Sequence, residues 1–329
     1  MMKYKTFTPA RGASNRHLQT LLPILLKSPR PVVYERQALS LPDGDFVDLD
    51  WLNKPARGST KPVLVIFHGL EGSSQSHYAR TLMQLAQRKN WHAVVMNFRG
   101  CSGRENKKSR LYHSGETGDA GFFIAWLKLQ YPMLPVYAVG FSLGGNMLLK
   151  LAGEAGEGLS LNALVSVSAP IMLDESTRYM IRGISRFYQL YLLRSLKRKL
   201  LTKFRHHDYE ALIGLTQHDV KHCKDIREFD NLFTAQMHGF KDADDYYRKS
   251  SAYSYIKKIK KPCLILHAAD DPIAPSGILP DNSELPEHVQ LEITERGGHV
   301  GFFGGTIVTP EYWLADRILA YLSEYPVND

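Results

Sequence analysis

Gly140-Phe141-Ser142-Leu143-Gly144 sets one serine between two glycines. The apolar run Val136-Tyr137-Ala138-Val139 ends just before it, and a helix-period run from Leu143 to Leu151 begins just after. A strand, tight turn and helix in that order lift the central hydroxyl above the sheet edge as an exposed nucleophile. The glycines suit the turn because a Cβ at either position would meet neighbouring backbone. The hydroxyl also faces a helix N-terminus, where the dipole favours developing negative charge.

A serine hydroxyl is a weak nucleophile until a base takes its proton and an acid orients that base. His299 is the candidate base. It lies in Glu295-Arg296-Gly297-Gly298-His299-Val300-Gly301, after the last predicted strand and before the last helix. The chain holds 13 histidines, so place in the order of elements selects this one. The candidate acid follows a strand ending at His267, in Asp270-Asp271-Pro272. A carboxylate there projects into the crevice at the C-terminal ends of the strands. Asp271 is preferred and Asp270 stays open, the carboxylate left over then capping the next turn.

An oxyanion formed beside Ser142 needs two backbone N–H donors. Leu143 supplies one. Leu70 supplies the other, from the loop His68-Gly69-Leu70-Glu71-Gly72 that follows Phe67, with His68 placed to orient it. Chemistry of this kind needs no cofactor and no metal. His206, His207, His218, His222 and Cys223 are therefore read as ordinary residues of a helical segment, although His218 and His222 share a helix face.

The elements that must position these groups alternate along the chain. Strands are predicted at 62–67, 92–97, 136–139, 161–168, 262–267 and 289–293. Helices are predicted at 77–89, 118–129, 143–151 and 311–321. Such alternation implies a mostly parallel sheet covered by helices. It breaks after Ala169-Pro170, where a mostly helical, charged and aromatic stretch begins. The expected organisation is an α/β core of residues 1–170 and 256–329, with a helical cap inserted at 171–255.

Composition fits that reading. Of 329 residues 44% are hydrophobic and 22% charged, enough to bury a large core and far from a disordered composition. Cys101, Cys223 and Cys263 are too few for a disulfide framework and suggest a reducing compartment. The first residues lack the apolar stretch of a signal peptide, and Leu18 to Leu26 is too short to span a bilayer. A cytoplasmic protein is expected. The formal charge of +8 concentrates in one place: Arg178 to His207 holds nine basic residues and no acidic one, and the remaining 32 basic and 33 acidic residues nearly balance. Phe187, Leu190, Tyr191, Leu193, Leu196, Leu200 and Phe204 interleave there at helical spacing. The expectation is an amphipathic cap helix with its apolar face over the crevice and a solvated basic face, able to touch an anionic membrane. Nucleic acid is not expected, because no recognition motif accompanies the charge.

Taken together, these motifs resemble the α/β-hydrolases, and within them the YheT-type esterases. The resemblance runs through Arg16-His17-Leu18-Gln19-Thr20, Phe67 to Gly72, Asn97-Phe98-Arg99-Gly100-Cys101-Ser102-Gly103 and His113-Ser114-Gly115-Glu116-Thr117. It continues through Gly140 to Asn146, Asp270-Asp271-Pro272 and Gly297 to Gly301. It implies the α/β-hydrolase fold, a Ser142–Asp271–His299 relay and hydrolysis of carboxylic esters. Eukaryotic members act on acylglycerols and medium-chain esters. The substrate expected here is a short- to medium-chain acyl ester. Transfer of the acyl group to an alcohol, or lipid and partner binding without catalysis, are the alternatives. His113 to Thr117 and the 97–103 run carry no obvious catalytic role. They are read as turn and cap chemistry, with Ser114 or Thr117 as a helix cap, or with Arg99 or Glu116 buttressing the oxyanion loop.

Overall fold

The computed structural model describes residues 5–26, 32–306 and 308–325. Its core is an eight-stranded sheet: β1 (Glu35–Ser40), β2 (Phe46–Leu52), β3 (Val63–Phe67), β4 (His92–Asn97), β5 (Val136–Phe141), β6 (Ala163–Val167), β7 (Cys263–Ala268) and β8 (Val289–Thr294). The order across the sheet is β1-β2-β4-β3-β5-β6-β7-β8. Strands β3 to β8 run parallel, and β2 pairs antiparallel with both β1 and β4.

The central parallel strands β3, β5, β6 and β7 are short, mostly apolar and buried along their length, as they must be when helices cover both faces, whereas the edge strand β8 is only partly buried. Alternation divides their side chains between two layers. Val63, Val65 and Phe67 face one layer, packed with α3 (Gly118–Gln130) and α4 (Leu143–Ala155). Leu64 and Ile66 face the other, packed with α2 (His77–Arg88) and the C-terminal helix Trp313–Leu322.

The β1–β2 hairpin precedes the predicted alternation and is absent from the sequence reading. Phe46–Leu52 carries the apolar–polar alternation of a strand, and its two aspartates, Asp48 and Asp50, are buried along with Val47, Leu49 and Trp51. Those carboxylates are satisfied by Arg104 and Ser102, and by Arg36, Ser74 and Asn97. A first helix, α1 (Arg16–Leu25), is capped by the Asn15 side chain. It too lay outside the predicted elements.

Between β6 and β7 every element is helical. The first two are α5 (Leu173–Met180) and α6 (Ser185–Lys203), of which α6 is the longest helix of the segment. The basic residues of α6 do not all face solvent, which corrects the expected solvated basic face. Lys197 Nζ donates to the Lys221 and Cys223 carbonyls, Lys203 Nζ to the Asn106 carbonyl, and Lys199 pairs with Glu71. Arginines make up the outward charge. Among the described residues, no helix is long and apolar enough to cross a membrane.

Candidate active site

Ser142 joins β5 to α4 with φ +51° and ψ −118°, a conformation that L-residues avoid unless the surroundings impose it. Missing side chains make room for the turn. A Cβ on Gly140 would lie 2.3 Å from the Gly144 carbonyl oxygen, and one on Gly144 would lie 2.5 Å from the Phe67 and His68 carbonyl oxygens.

The hydroxyl so raised meets His299 and Asp271. His299 Nε2 is 2.9 Å from Ser142 Oγ, and His299 Nδ1 is 2.8 and 3.1 Å from the two Asp271 oxygens. A carboxylate at Nδ1 keeps the proton there and leaves Nε2 to accept from the serine. Asp271 is buried, and its Oδ1 also accepts from the amides of Ile273 and Ala274 at 2.8 and 2.9 Å. The two aspartates therefore divide differently from the expectation. Asp271 itself closes the following turn, whereas Asp270 Oδ1 accepts from the Gly298 amide at 2.9 Å and holds the histidine loop. Burial pushes the Asp270 carboxyl above its ordinary value.

That loop is fastened at nearly every residue. The His299 amide donates to Thr20 Oγ1 at 2.9 Å, the Val300 amide to Ser168 Oγ at 3.2 Å, and the Phe303 amide to Gln19 Oε1 at 2.7 Å. These bonds sustain positive φ at Gly298, Val300 and Phe302, a costly conformation for a β-branched valine. Gly298 and Gly301 pack against the α1 backbone, so a Cβ on Gly301 would lie 2.0 Å from the Gln19 carbonyl oxygen. Sequence reasoning missed Gln19 and Thr20 as supports of the site. Their signal was a polar pair inside the greasy stretch 18–26, and both are buried.

The direction of the Leu70 amide, one of the two expected oxyanion donors, depends on one peptide. His68 is fully buried, and burial holds its imidazole down to about 4, so it stays neutral. Its Nε2 accepts from the Phe98 amide at 3.0 Å, which leaves Nδ1–H to donate to the Gly69 carbonyl at 2.7 Å. The Gly72 amide donates to the same carbonyl at 3.0 Å. In a trans peptide the C=O and the following N–H point opposite ways. Pinning the Gly69 carbonyl therefore turns the Leu70 N–H to the other side. Among the described residues, neither the Leu70 nor the Leu143 amide donates to a protein acceptor. A Cβ on Gly69 would lie 3.2 Å from Ser142 Cβ, which shows how closely the loop approaches the serine.

Glu71, the next residue, is held at φ +55°. Its amide donates to Tyr112 Oη, which donates back to Oε1. From α6, Lys199 Nζ reaches Oε1 at 2.6 Å and Ser195 Oγ donates to Oε2 at 2.7 Å. Burial alone would raise this carboxyl, but the Lys199 ammonium and these hydrogen bonds hold it below its ordinary value. The cap is thus tied to the loop carrying the Leu70 amide. Cys101 lies against Lys199 at 3.1 Å, and burial pushes its thiol up, away from nucleophile chemistry.

The 97–117 motifs brace the structure. Arg99 is buried among Asp43, Asp45 and Asp119, apart from the oxyanion loop. Glu116 pairs with Arg110. Thr117 precedes α3, yet its hydroxyl donates to Glu154 instead of capping the helix. The Ser114 carbonyl accepts from Asn146, whose amide group also binds the Ser250 carbonyl and the Ala252 amide where the cap returns to the core.

Above Ser142 opens a cavity of about 860 Å³. Leu143, Leu196, Ile226, Phe229 and Phe233 contribute to its apolar wall. The volume is near the upper end of small-molecule sites, roughly 300–1,000 Å³. Among the expected cap histidines, His218 and His222 stack at 3.9 Å, and His222 Nδ1 donates to its own helix backbone. Among the described residues, the one group with ligand atoms gathered closely enough for a metal is His113, Glu116 and His238, within 4.8 Å. Its carboxylate is already paired with Arg110 at 2.9 Å.

Comparison with known proteins assigns the family and the fold. Residues 62–306 match the family described as alpha/beta hydrolase fold. A protein of Escherichia coli (strain K12) carrying the name "Putative esterase YheT" is 49% identical over 97% of this chain and 93% of its own. This chain is a YheT-type α/β-hydrolase. The hydrolase is also 33% identical to a monoacylglycerol lipase of Saccharomyces cerevisiae (strain ATCC 204508 / S288c), over 80% of this chain and 59% of that one. Its fold matches an esterase of Pyrococcus furiosus with a TM-score of 0.57 at 18% identity, over 98% of this chain and 99% of that one.

Proposed function

We propose that this hydrolase is a serine carboxylester hydrolase working through an acyl-enzyme. The observation that carries the reading is the unbroken line of hydrogen bonds from Ser142 Oγ through His299 to Asp271 at the floor of an apolar cavity. Ser142 Oγ attacks the ester carbonyl as His299 Nε2 takes its proton. Asp271 keeps the imidazole in the required tautomer and stabilises the imidazolium. The Leu70 and Leu143 amides receive the oxyanion, and loss of one such donor costs about 3 kcal/mol in related chemistry. His299 returns the proton to the departing alcohol. A water, activated by the same histidine, then frees the acid.

The acyl chain lies in the cavity under α6, whose apolar wall favours aliphatic acyl groups of short to medium length. The cytoplasmic setting expected from the sequence belongs to the same proposal, and three unpaired cysteines agree with a reducing compartment. The test is a panel of p-nitrophenyl esters from two to sixteen carbons. Turnover should peak at an intermediate length and vanish in Ser142→Ala. Unchanged turnover in that variant would overturn the reading.

A further inference from the structure

The cavity mouth is rimmed by apolar residues that stay exposed among the described residues. Leu21 and Ile24 of α1 line it on one side, and Ile184, Phe187 and Tyr191 on the other. Ile24 is 58% exposed, Phe187 71% and Tyr191 76%. The two sides form one lip, because His17 Nδ1 lies 3.0 Å from Tyr188 Oη and Arg16 donates to Tyr179 Oη at 3.0 Å. Large apolar side chains gathered around one opening differ from the scattered exposed residues of an ordinary surface.

Charge continues the same face. Phe187, Tyr191, Arg194 and Arg198 recur at i, i+4, i+7 and i+11 along α6, which places them on one stripe of the helix. Beside the stripe lies a groove whose lining includes Arg194, Lys197, Arg198, Arg205, Lys221 and Lys224, six cations without a carboxylate. Lys199 and Lys203 are turned inward onto Glu71 and the Asn106 carbonyl, and because α6 contains no acidic residue its exposed Arg186, Arg194 and Arg198 leave the outward face positive.

We propose that this face docks on an anionic phospholipid surface, with the apolar lip among the acyl chains and the groove against the headgroups. An apolar lip with a basic flank is the arrangement that rests in a membrane interface. The purpose rests on the reading of the cavity as an acyl site: the opening in the lip lets an acyl ester pass from bilayer to cavity without crossing water. The binding itself can be measured without any catalysis.

The experiment is sedimentation of the full chain with vesicles of phosphatidylcholine alone and of phosphatidylcholine with 30% phosphatidylglycerol. With each basic residue near the surface worth roughly 1 kcal/mol, the anionic vesicles should bind at least about tenfold more tightly. Arg194→Glu/Arg198→Glu should erase that preference while leaving hydrolysis of a water-soluble short-chain ester unchanged. Phe187→Ser, checked for its fold by circular dichroism, should weaken binding to both vesicles. Binding should persist in Ser142→Ala, so failure of the esterase reading and failure of this one are separate results. Equal binding to both vesicles would overturn the proposal. So would competition by millimolar inorganic phosphate, which would assign the groove to a soluble anion. A dimer broken by Phe187→Ser without vesicle binding would assign the lip to a second copy.

Discussion

The core and the cap hold their polar groups by opposite means. In the core, Ser142 stands on a strained turn at a strand end, and the His299 loop is bound through its own amides by Asp270, Thr20, Ser168 and Gln19. Backbone geometry does the positioning, and side chains serve as its anchors. In the cap, Lys199 and Ser195 reach from α6 to Glu71, a contact between side chains more than a hundred residues apart. Backbone positioning fixes the reacting atoms, whereas side-chain pairing between cap and core fixes how the cavity closes over them. On that division, loss of a reacting group of the core should slow chemistry by orders of magnitude, and conservative change of a loop anchor should cost less. Changes in the cap should affect rate, chain length and stability more gently.

The largest effect is expected within the core, where two neighbouring aspartates separate a reacting group from a loop anchor. Asp271→Asn reverses the hydrogen bond to His299 and should lower kcat by about 10⁴-fold, as loss of the triad carboxylate does elsewhere. Asp270→Asn keeps an acceptor for the Gly298 amide and should cost less than about tenfold, far short of the triad loss. Steady-state kinetics on one chromogenic ester decides it, and equal losses would erase the distinction between relay and loop anchor.

Lys199→Met strands the buried Glu71 carboxylate and should remove about 3 kcal/mol of stability, as breaking a buried ion pair does. It should also lower kcat more than it raises KM, because the loop bearing Leu70 loosens. Lys199→Arg should restore both. A loss of stability with kcat untouched would separate the cap from the oxyanion loop.

A smaller effect is expected from Leu196→Trp, which fills part of the cavity wall. The preferred ester should become shorter, while turnover of the shortest ester changes little. An unchanged chain-length profile would place the acyl group elsewhere.

A different kind of prediction concerns the pH dependence of stability through Asp230, buried in the cavity wall against Thr234 and Tyr247. Burial pushes its carboxyl from the ordinary 3.8 up to about 7. Between those values the folded protein keeps a proton that the unfolded chain releases, so stability falls as pH rises toward and through 7. Asp230→Asn has no proton to lose. The wild-type melting temperature should fall relative to that variant between pH 5 and pH 8, and the two curves should run parallel below pH 4. Parallel curves throughout would show that the group does not titrate in that range.

The same division explains what could be read from the chain. Gly140 to Gly144 and Gly297 to Gly301 were legible because tight turns demand glycine at fixed spacing, and the strand before the first is an apolar run while the strand before the second alternates apolar and polar residues. The β1–β2 hairpin was passed over although Val47-Asp48-Leu49-Asp50-Trp51 alternates as a strand does, and only the burial of its two aspartates needed the folded sheet to be seen. Gln19 and Thr20 were quoted as part of a motif, but their role appears only when α1 is packed on the histidine loop. The Lys199–Glu71 pair was hidden in the same way: composition counted Lys199 among nine solvated cations, and only the folded cap turns it inward.

The central claim is that Ser142 carries the acyl group. Its most direct test is mass spectrometry after treatment with a fluorophosphonate, in which serine Oγ attacks phosphorus and fluoride departs. One adduct per chain, on the peptide containing Ser142 and absent from Ser142→Ala, is the expected result. An adduct elsewhere, or equal labelling of Ser142→Ala, would contradict it.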